Sequence, residues 1–192
     1  MYEIIKSDIS VIPKHITKSQ VDEISEVIKG WKYLRKPEYQ RDRDILIHRL
    51  MWQTGGRVDD ICHLTVEMLV WKDSLIRLWT KKRKKEVYLQ MEKSILYDLK
   101  NFKENYNIST GRFWDITRQR VWQKTQKWAE KIGIRLHPHM YRHGNAVYLM
   151  LKQQPTALIS ARLGHANTAI TQSMYQKVTP EMQKELLKDV EF

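Results

Sequence analysis

Cysteine is nearly absent from this chain of 192 residues, since Cys62 is the single one. One cysteine cannot build a disulfide framework or a thiolate metal cluster within the chain, which excludes the small disulfide-stapled secreted domains and fits a reducing compartment.

Long apolar runs are missing as well. The longest, AVYLML at 146–151, is far shorter than the ~20 residues that span a bilayer, and the opening MYEIIKSDIS lacks the apolar stretch of a signal peptide. These absences predict a soluble, cytoplasmic protein.

Acidic residues are scarce relative to basic ones. The chain has 34 Lys and Arg against 22 Asp and Glu, which gives a net charge of +12 and a pI of about 9.7. A surface of this sign attracts polyanions, so nucleic acid is the leading partner; a basic but solvated surface is the alternative that charge alone leaves open. Apolar residues make up 42% of the chain and include seven Trp and nine Tyr, which is enough to build the core of one domain.

Helical periodicity accounts for most of the chain. Thr17 and Gln20 form a capping-box pattern that opens a helix ending near Gly30, and apolar spacing predicts a second helix over 39–53. Further helices are predicted in RVDDICHL, MEKSILYDLKNFKENY, TRQRVWQKTQKWAEKIG, HPHMYRHGNAVYLMLKQ, PTALISARLG and TAITQSMYQ. Residues 65–91 instead show alternation with a turn signal at 72–74, which predicts short strands. The predicted fold is mainly α with a small three-stranded antiparallel β-sheet, in the α+β class.

Two tryptophans stand out in the helix predicted for TRQRVWQKTQKWAEKIG. Trp122 and Trp128 recur with Val121 and Thr125 at helical spacing. Such a stripe could serve as a base-stacking platform, but aromatic residues at this spacing are more typical of a core. We therefore predict that both tryptophans are buried.

The stretch HPHMYRH at 137–143 concentrates three histidines and an arginine. On a helix, His139 and His143 share a face, and His137 could join them as a third metal ligand, although the stretch lacks a neighbouring carboxylate. His139 and Arg142 also point the same way from one turn, and a guanidinium beside an imidazole suits a phosphate group. A capped or packed helix start around Pro138 is the purely structural alternative.

Two further stretches carry side chains that could act on a phosphate group. TGGRVDD places Arg57 directly after two glycines at a helix start, where free backbone amides can approach an anion. RLGHANTAITQSMYQ supplies His165 and, ten positions later, Tyr175. An arginine alone in a basic protein is more often a surface residue, so each stretch gains meaning only in combination with the others.

The boxes TGGRVDDICHLT, WTKKRKKEVYL, HPHMYRHGNA and ARLGHANTAITQSMY resemble, in order and spacing, the catalytic domain of the tyrosine recombinase (phage integrase) family, over residues from about 15 to 178. The resemblance implies a metal- and ATP-independent enzyme, without a cofactor, that cleaves and rejoins double-stranded DNA through a covalent 3′-phosphotyrosine, as a tetramer on the DNA. It also implies a cytoplasmic location, for a protein of a prokaryotic cell or of its virus or mobile element. The catalytic positions it implies are Arg57, Lys81, His139, Arg142, His165 and the nucleophile Tyr175, with Asp60 in support.

The chemistry of strand cleavage gives each of these residues a task. Arg57 and Arg142 clamp the phosphate oxygens, and His139 draws the proton from Tyr175, which is a poor nucleophile at its free pKa of about 10. Lys81 on the hairpin is the general acid, and His165 supports the phosphate or the nucleophile. The basic residues that follow Lys81 are predicted to bind DNA phosphates; they are Lys82, Arg83, Lys84 and Lys85.

Two assignments keep alternatives. The hairpin reads T-K-K-R-K-K where the family prefers glycines, so Lys82 or Lys84 competes with Lys81 for the role of general acid. Tyr141 and Tyr148 compete with Tyr175 as nucleophile, but the spacing from His165 favours Tyr175, and the other two are expected in the core or on a helix face.

The predicted organisation is a leader over 1–14, the catalytic domain over 15–178 and a helical tail over 179–192. Met182, Leu186 and Val190 form an apolar stripe in the tail, which would pack on a neighbouring protomer or, more simply, on its own domain. The larger members of the family carry an N-terminal core-binding domain, so the chain is either a fragment or resembles the short members. Other functions that remain open are a non-cleaving DNA-binding regulator on the same fold and a metal-dependent nuclease using the three histidines of 137–143.

Overall fold

The structure is a computed structural model, and it describes residues 14–80 and 85–164. Helices α1–α3 and strands β1–β3 come first, followed by helices α4–α7. Their bounds are α1 Lys18–Lys29, α2 Pro37–Thr54, α3 Val58–Cys62, β1 Leu69–Val70, β2 Leu75–Thr80, β3 Lys85–Gln90, α4 Lys93–Asn105, α5 Arg118–Glu130, α6 Pro138–Leu151 and α7 Thr156–Leu163. Several predicted site residues lie outside the described residues, namely Lys81, Lys82, Arg83, Lys84, His165 and Tyr175, as does the tail over 179–192.

Helix boundaries follow the local signals in the sequence. The Thr17 hydroxyl accepts a hydrogen bond from the backbone N–H of Gln20 at 3.2 Å, and the Gln20 side chain accepts one from the N–H of Thr17 at 3.0 Å, which completes the capping box of α1. Pro138 stands in the first turn of α6, where a missing N–H costs nothing. Helix α2 ends at Gly55 with φ of 55°, a left-handed conformation that glycine adopts readily. The predicted helices of the described part of the chain are confirmed.

The sheet has the strand order β1–β2–β3 with antiparallel pairing throughout. Leu78 lies opposite Val87 on the face that packs against the core, whereas Trp79 and Tyr88 lie on the outer face and are 48% and 54% exposed. This alternation is the period-two pattern from which strands were predicted. A mainly α fold with a small three-stranded antiparallel sheet is therefore confirmed. None of the helices in the described ranges is long and apolar enough to cross a membrane.

Helix α2 runs through the middle of the core and packs on α1, α4 and α6. The buried His48 joins three of these elements: its Nδ1 lies 2.7 Å from the hydroxyl of Tyr141, and its Nε2 lies 2.8 Å from the carbonyl oxygen of Val21. Because a carbonyl can only accept, Nε2 carries the proton and Nδ1 accepts from Tyr141. Burial lowers the pKa of His48 to about 4, so the ring is neutral. Tyr141 is fully buried and belongs to the core, as predicted.

A cluster of buried charges joins α2 to α5. Asp44 is 1% exposed and accepts hydrogen bonds from Arg43 at 2.8 Å, from Lys124 at 2.7 Å and from the hydroxyl of Tyr33 at 3.0 Å. The Lys124 ammonium also lies 4.8 Å from the centre of the Tyr33 ring. One carboxylate thus compensates two buried cations and links α5 to α2 through the Asp44–Lys124 pair.

Helix α6 passes so close to the segment before α1 that only glycine fits at residue 144. A Cβ added to Gly144 would lie 2.1 Å from the carbonyl oxygen of Ile16 and 2.9 Å from the Trp52 ring. Gly144→Ala is therefore expected to lower the free energy of unfolding by about 3 kcal/mol, since backbone must move to admit the methyl group. Urea denaturation measures the change. Gly30→Ala is the control, because a Cβ there meets nothing closer than 3.7 Å; equal stability of the two variants would contradict the close approach.

Candidate active site

Arg57 stands where α2 turns into α3. Gly55 closes α2 in the left-handed conformation, the N–H of Gly56 donates to the Thr54 hydroxyl at 2.9 Å, and Arg57 is the N-cap residue of α3. A Cβ on Gly55 would lie 2.6 Å from a methyl group of Leu163, so the turn packs directly against the end of α7. Gly55 and Gly56 therefore fix the backbone position from which the Arg57 side chain extends.

Arg142 lies one turn after His139 on α6 and is anchored to two other elements. Its Nη1 donates to the carbonyl oxygen of Gly55 at 2.9 Å, and its Nη2 donates to the carbonyl oxygen of Leu163. These bonds connect α6 to the turn that carries Arg57 and to the last residue of α7. The half-buried guanidinium is thus held in one orientation before any substrate binds.

A cleft of about 500 Å³ opens between the start of α3, the start of α5 and the start of α6. Arg57 and His139 both line it, and Arg118, Trp122 and His137 complete its walls. The structure therefore brings together the predicted phosphate clamp Arg57 and the predicted proton carrier His139. Arg142 donates to the carbonyl oxygen of Gly55, two residues before Arg57, so the second predicted clamp is held at the turn that carries the first.

The electrostatics of the cleft favour an anion. Burial and the charge of Arg57 lower the pKa of Arg142 to about 10, and the carboxylate of Asp60 opposes this shift, so the guanidinium stays protonated at neutral pH. Desolvation also lowers the pKa of His139, and the neighbouring His137, Arg142 and Arg57 lower it further. His139 is therefore neutral at pH 7 and is able to accept a proton. Asp60, the predicted supporting residue, lies on α3 and acts on the same group.

The three histidines of HPHMYRH do not form a metal site. The ring centroids of His137 and His139 are 6.5 Å apart, and within 14–80 and 85–164 no three His, Cys, Asp or Glu side chains assemble as ligands. His143 is half-buried behind His139, and burial lowers its pKa. The alternative of a metal site on these three histidines therefore has no geometric support within the described residues.

Three other residues were considered for roles in the site, namely Lys85, His165 and Tyr148. Lys85 is the first residue of β3, opposite Thr80, and it marks where the basic run of the hairpin ends. His165 follows Gly164, which ends α7 with φ of 60°. Tyr148 is half-buried, with its ring centroid 5.6 Å from that of Trp52.

One prediction about the site is wrong, and it reveals residues that the sequence reasoning missed. Trp128 is 1% exposed and belongs to the core, but Trp122 is 42% exposed and lines the cleft. The reason is that Trp122 shares a helix face with Arg118, four residues earlier, and not with Val121 and Trp128. That i,i+4 relation was the available signal. Arg162 was also missed; it lies on α7 and binds the carbonyl oxygen of Gln53 near the end of α2.

Known proteins resemble this chain in sequence over most of its length. The sequence model of the phage integrase family matches residues 14–182. Tyrosine recombinase XerA of Pyrococcus horikoshii is 28% identical over 187 residues, which cover 92% of this chain and 62% of XerA. Tyrosine recombinase XerD of Vibrio cholerae is 27% identical over 191 residues, covering 91% of this chain and 60% of XerD. The chain thus spans about three fifths of the length of these curated relatives.

Solved structures share the fold. The crystal structure of XerA recombinase superposes with a TM-score of 0.74 at 18% identity, covering 93% of this chain and 65% of that one. The catalytic domain of bacteriophage HP1 integrase gives a TM-score of 0.67 at 17% identity, covering 92% of this chain and 94% of that one. The architecture is that of a tyrosine recombinase catalytic domain. With the match over 14–182, the chain belongs to the phage integrase family.

Proposed function

We propose that this chain cleaves and rejoins double-stranded DNA in site-specific recombination, with Tyr175 as the nucleophile. The observation that carries the proposal is that Arg57 and His139 line one cleft while Arg142 is tied to the turn that carries Arg57, although Arg57 comes from a different box of the sequence than the other two. A related chain supports it, since XerH was solved on its palindromic difH substrate in a post-cleavage complex, and it superposes with a TM-score of 0.75.

The residues of the cleft suit an in-line attack on a phosphodiester. The Tyr175 oxygen bonds to phosphorus while the bond to the 5′-oxygen breaks, which leaves a 3′-phosphotyrosine and a 5′-hydroxyl. Arg57 and Arg142 stabilise the charge on the two non-bridging oxygens, and Arg142 is already oriented by its backbone anchors. His139 accepts the tyrosine proton, and a hairpin lysine, Lys81 in our assignment, donates the proton that the leaving oxygen needs. His165 supports the phosphate.

Attack by a 5′-hydroxyl from a second duplex reverses this step and joins new strands. The phosphotyrosine conserves the bond energy, so the exchange requires neither ATP nor a metal ion. Lys82, Arg83, Lys84 and Lys85 contribute phosphate contacts on the DNA backbone. Regulatory DNA binding without cleavage is the competing outcome, and the assay below separates the two.

Strand exchange between two duplexes needs several protomers, and we assign the tail a part in this assembly. In this division residues 15–178 form the catalytic domain, 1–14 form a leader, and the apolar stripe of 179–192 packs on a neighbouring protomer in a DNA-bound tetramer. Deleting 179–192 should abolish higher-order complexes on DNA while leaving covalent adduct formation in place. Unchanged assembly would show that the tail docks on its own domain.

The reaction is tested with nicked duplexes in which the sequence flanking the nick is randomised. Cleavage next to the nick releases a short strand, so the enzyme is trapped as an adduct that survives denaturing electrophoresis. We expect adducts in the presence of EDTA and none from Tyr175→Phe, whereas Tyr97→Phe, an exposed tyrosine on α4, should behave as wild type. Binding without an adduct would indicate a regulator, and cleavage lost in EDTA would indicate a metal-dependent nuclease.

The pH dependence of adduct formation reports on His139. Because its pKa lies below the ordinary value, its basic form persists to lower pH, and the rate at subsaturating DNA should stay level until pH falls below about 6.5. His139→Gln should lower the plateau by about 100-fold and remove this acid limb. Single-turnover rates between pH 5 and 9 measure both. An acid limb that persists in His139→Gln would assign the base to another group.

A further inference from the structure

Arg162 on α7 holds two backbone carbonyls that belong to different parts of the fold. Its Nη2 donates to the carbonyl oxygen of Gln53 in the last turn of α2 at 2.6 Å, and its Nη1 donates to that of Gln90 at 3.1 Å. Gln90 is the last residue of β3 and pairs with Leu75, the first residue of β2. The guanidinium therefore bridges the end of α2 and the base of the β2–β3 hairpin.

The side chain of Gln53 makes a second connection between the end of α2 and the segment after β3. Its side-chain oxygen accepts a hydrogen bond from the N–H of Glu92 at 3.3 Å, two residues after the strand ends. Arg142, in turn, donates to Gly55 and to Leu163, the residue that follows Arg162. Two arginines thus hold the end of α2, with Arg142 binding it to α7 and Arg162 binding it to the base of the hairpin.

Stability alone does not account for this arrangement. Desolvation lowers the pKa of Arg162, and the charge of Glu92 opposes this shift only in part. Its Nε is buried and finds no hydrogen-bond partner among the described residues. An apolar side chain would fill such a position at a lower cost, but it could not bind two carbonyls at fixed angles.

Because the hairpin is long, a small rotation at its base produces a large displacement at its far end. A strand of six residues such as β3 spans about 20 Å, so a rotation of about 3° at its base moves its tip by about 1 Å. A displacement of about 1 Å in a reacting group is enough to cost up to about 100-fold in rate. In the sequence, the basic run that contains the general acid of the proposed function follows directly on Thr80, the last residue of β2, which pairs with Lys85 at the end of the hairpin away from this junction.

We propose that Arg162 is a positioning residue for leaving-group protonation, because it fixes the base of the hairpin to the helix end that leads into Arg57. This inference rests on the proposed function. Arg162 does not touch the scissile phosphate in this scheme, and it acts through the hairpin. Its loss should therefore slow the step that needs the hairpin lysine and spare the steps that do not.

A substrate with sulfur in place of the bridging 5′-oxygen isolates this step. When the P–S bond breaks, the leaving group departs as a thiolate, which needs no proton because a thiol has a pKa of about 8.5. We expect Arg162→Gln to lower the single-turnover rate of adduct formation by about 30-fold on the oxygen substrate and by less than about threefold on the sulfur substrate. Arg162→Lys, which keeps the charge but lacks the fork for two carbonyls, should fall between wild type and Arg162→Gln.

Arg49→Gln is the matched control. Arg49 is a half-buried arginine that ties α2 to α4 through Asp98 and, at 3.2 Å, Ser94, away from the cleft. This variant should cleave both substrates as wild type does. Equal losses of Arg162→Gln or Arg162→Lys on the two substrates, or no loss on either, would overturn the positioning role while the proposed function stands. Absence of an adduct in the wild-type protein on both substrates would overturn both.

Discussion

Replacing Arg142 with lysine is expected to slow covalent adduct formation by about 10³-fold or more. The guanidinium is tied to the backbone carbonyls of Gly55, directly after α2, and of Leu163 in α7, while its charge couples to that of Arg57. A lysine keeps the positive charge, but its single ammonium cannot hold the carbonyls of Gly55 and Leu163 and a phosphate oxygen in a fixed fork. We therefore expect that a positive charge at residue 142 without the fixed fork does not support the wild-type rate of adduct formation.

Single-turnover rates at saturating DNA separate this loss from a loss of binding. Arg49→Lys serves as the control, since it makes the same change in another half-buried arginine of the described core. DNA affinity should weaken by less than about tenfold in Arg142→Lys, because the chain carries many other basic residues that can contact phosphates. A rate within about tenfold of wild type would show that Arg142 contributes charge alone.

Replacing Asp44 with asparagine is expected to lower the free energy of unfolding by about 3–5 kcal/mol. Asp44 is the common partner of Arg43 and Lys124, which are 7% and 8% exposed, so its neutralisation leaves two cations buried without a compensating charge. Asparagine has nearly the same shape as aspartate. The loss therefore reports on charge and not on packing volume.

Urea denaturation measures this loss, and a second variant identifies its source. In Asp44→Asn/Lys124→Met one of the uncompensated cations is removed, so part of the stability should return. Asp98→Asn, which breaks the more exposed pair with Arg49, should cost less than about 1 kcal/mol. A loss below about 1 kcal/mol in Asp44→Asn would show that water reaches the cluster and that α5 does not depend on it.

Much of this fold was predictable because its signals are local. The capping box at Thr17, the proline that opens α6 and the glycines that follow α2 each act within one helix turn, and a sequence displays them directly. The same is true of the boxes that hold Arg57, His139 and Arg142. The resemblance of these boxes to the family implied the candidate site residues, and of these the structure brings Arg57 and His139 to one cleft.

The features that escaped prediction depend on contacts between distant parts of the chain. Asp44 and Lys124 are 80 residues apart, and Arg162 and Gln53 are 109 residues apart, so no periodicity or motif links them. Aromatic spacing alone predicts that Trp122 lies in the core. Its helical phase with Arg118, four residues earlier, instead sets it toward the cleft.

The identity of the residue that becomes linked to DNA tests the central claim most directly. The adduct formed in EDTA on nicked duplex is digested with protease and nuclease, and the peptide that retains a nucleotide is sequenced by mass spectrometry. The account predicts that a 3′-phosphate is attached to Tyr175, within a peptide that contains ITQSMYQ. A nucleotide on any other residue, such as Tyr148, or a wild-type protein that binds DNA and never becomes linked to it, would contradict it.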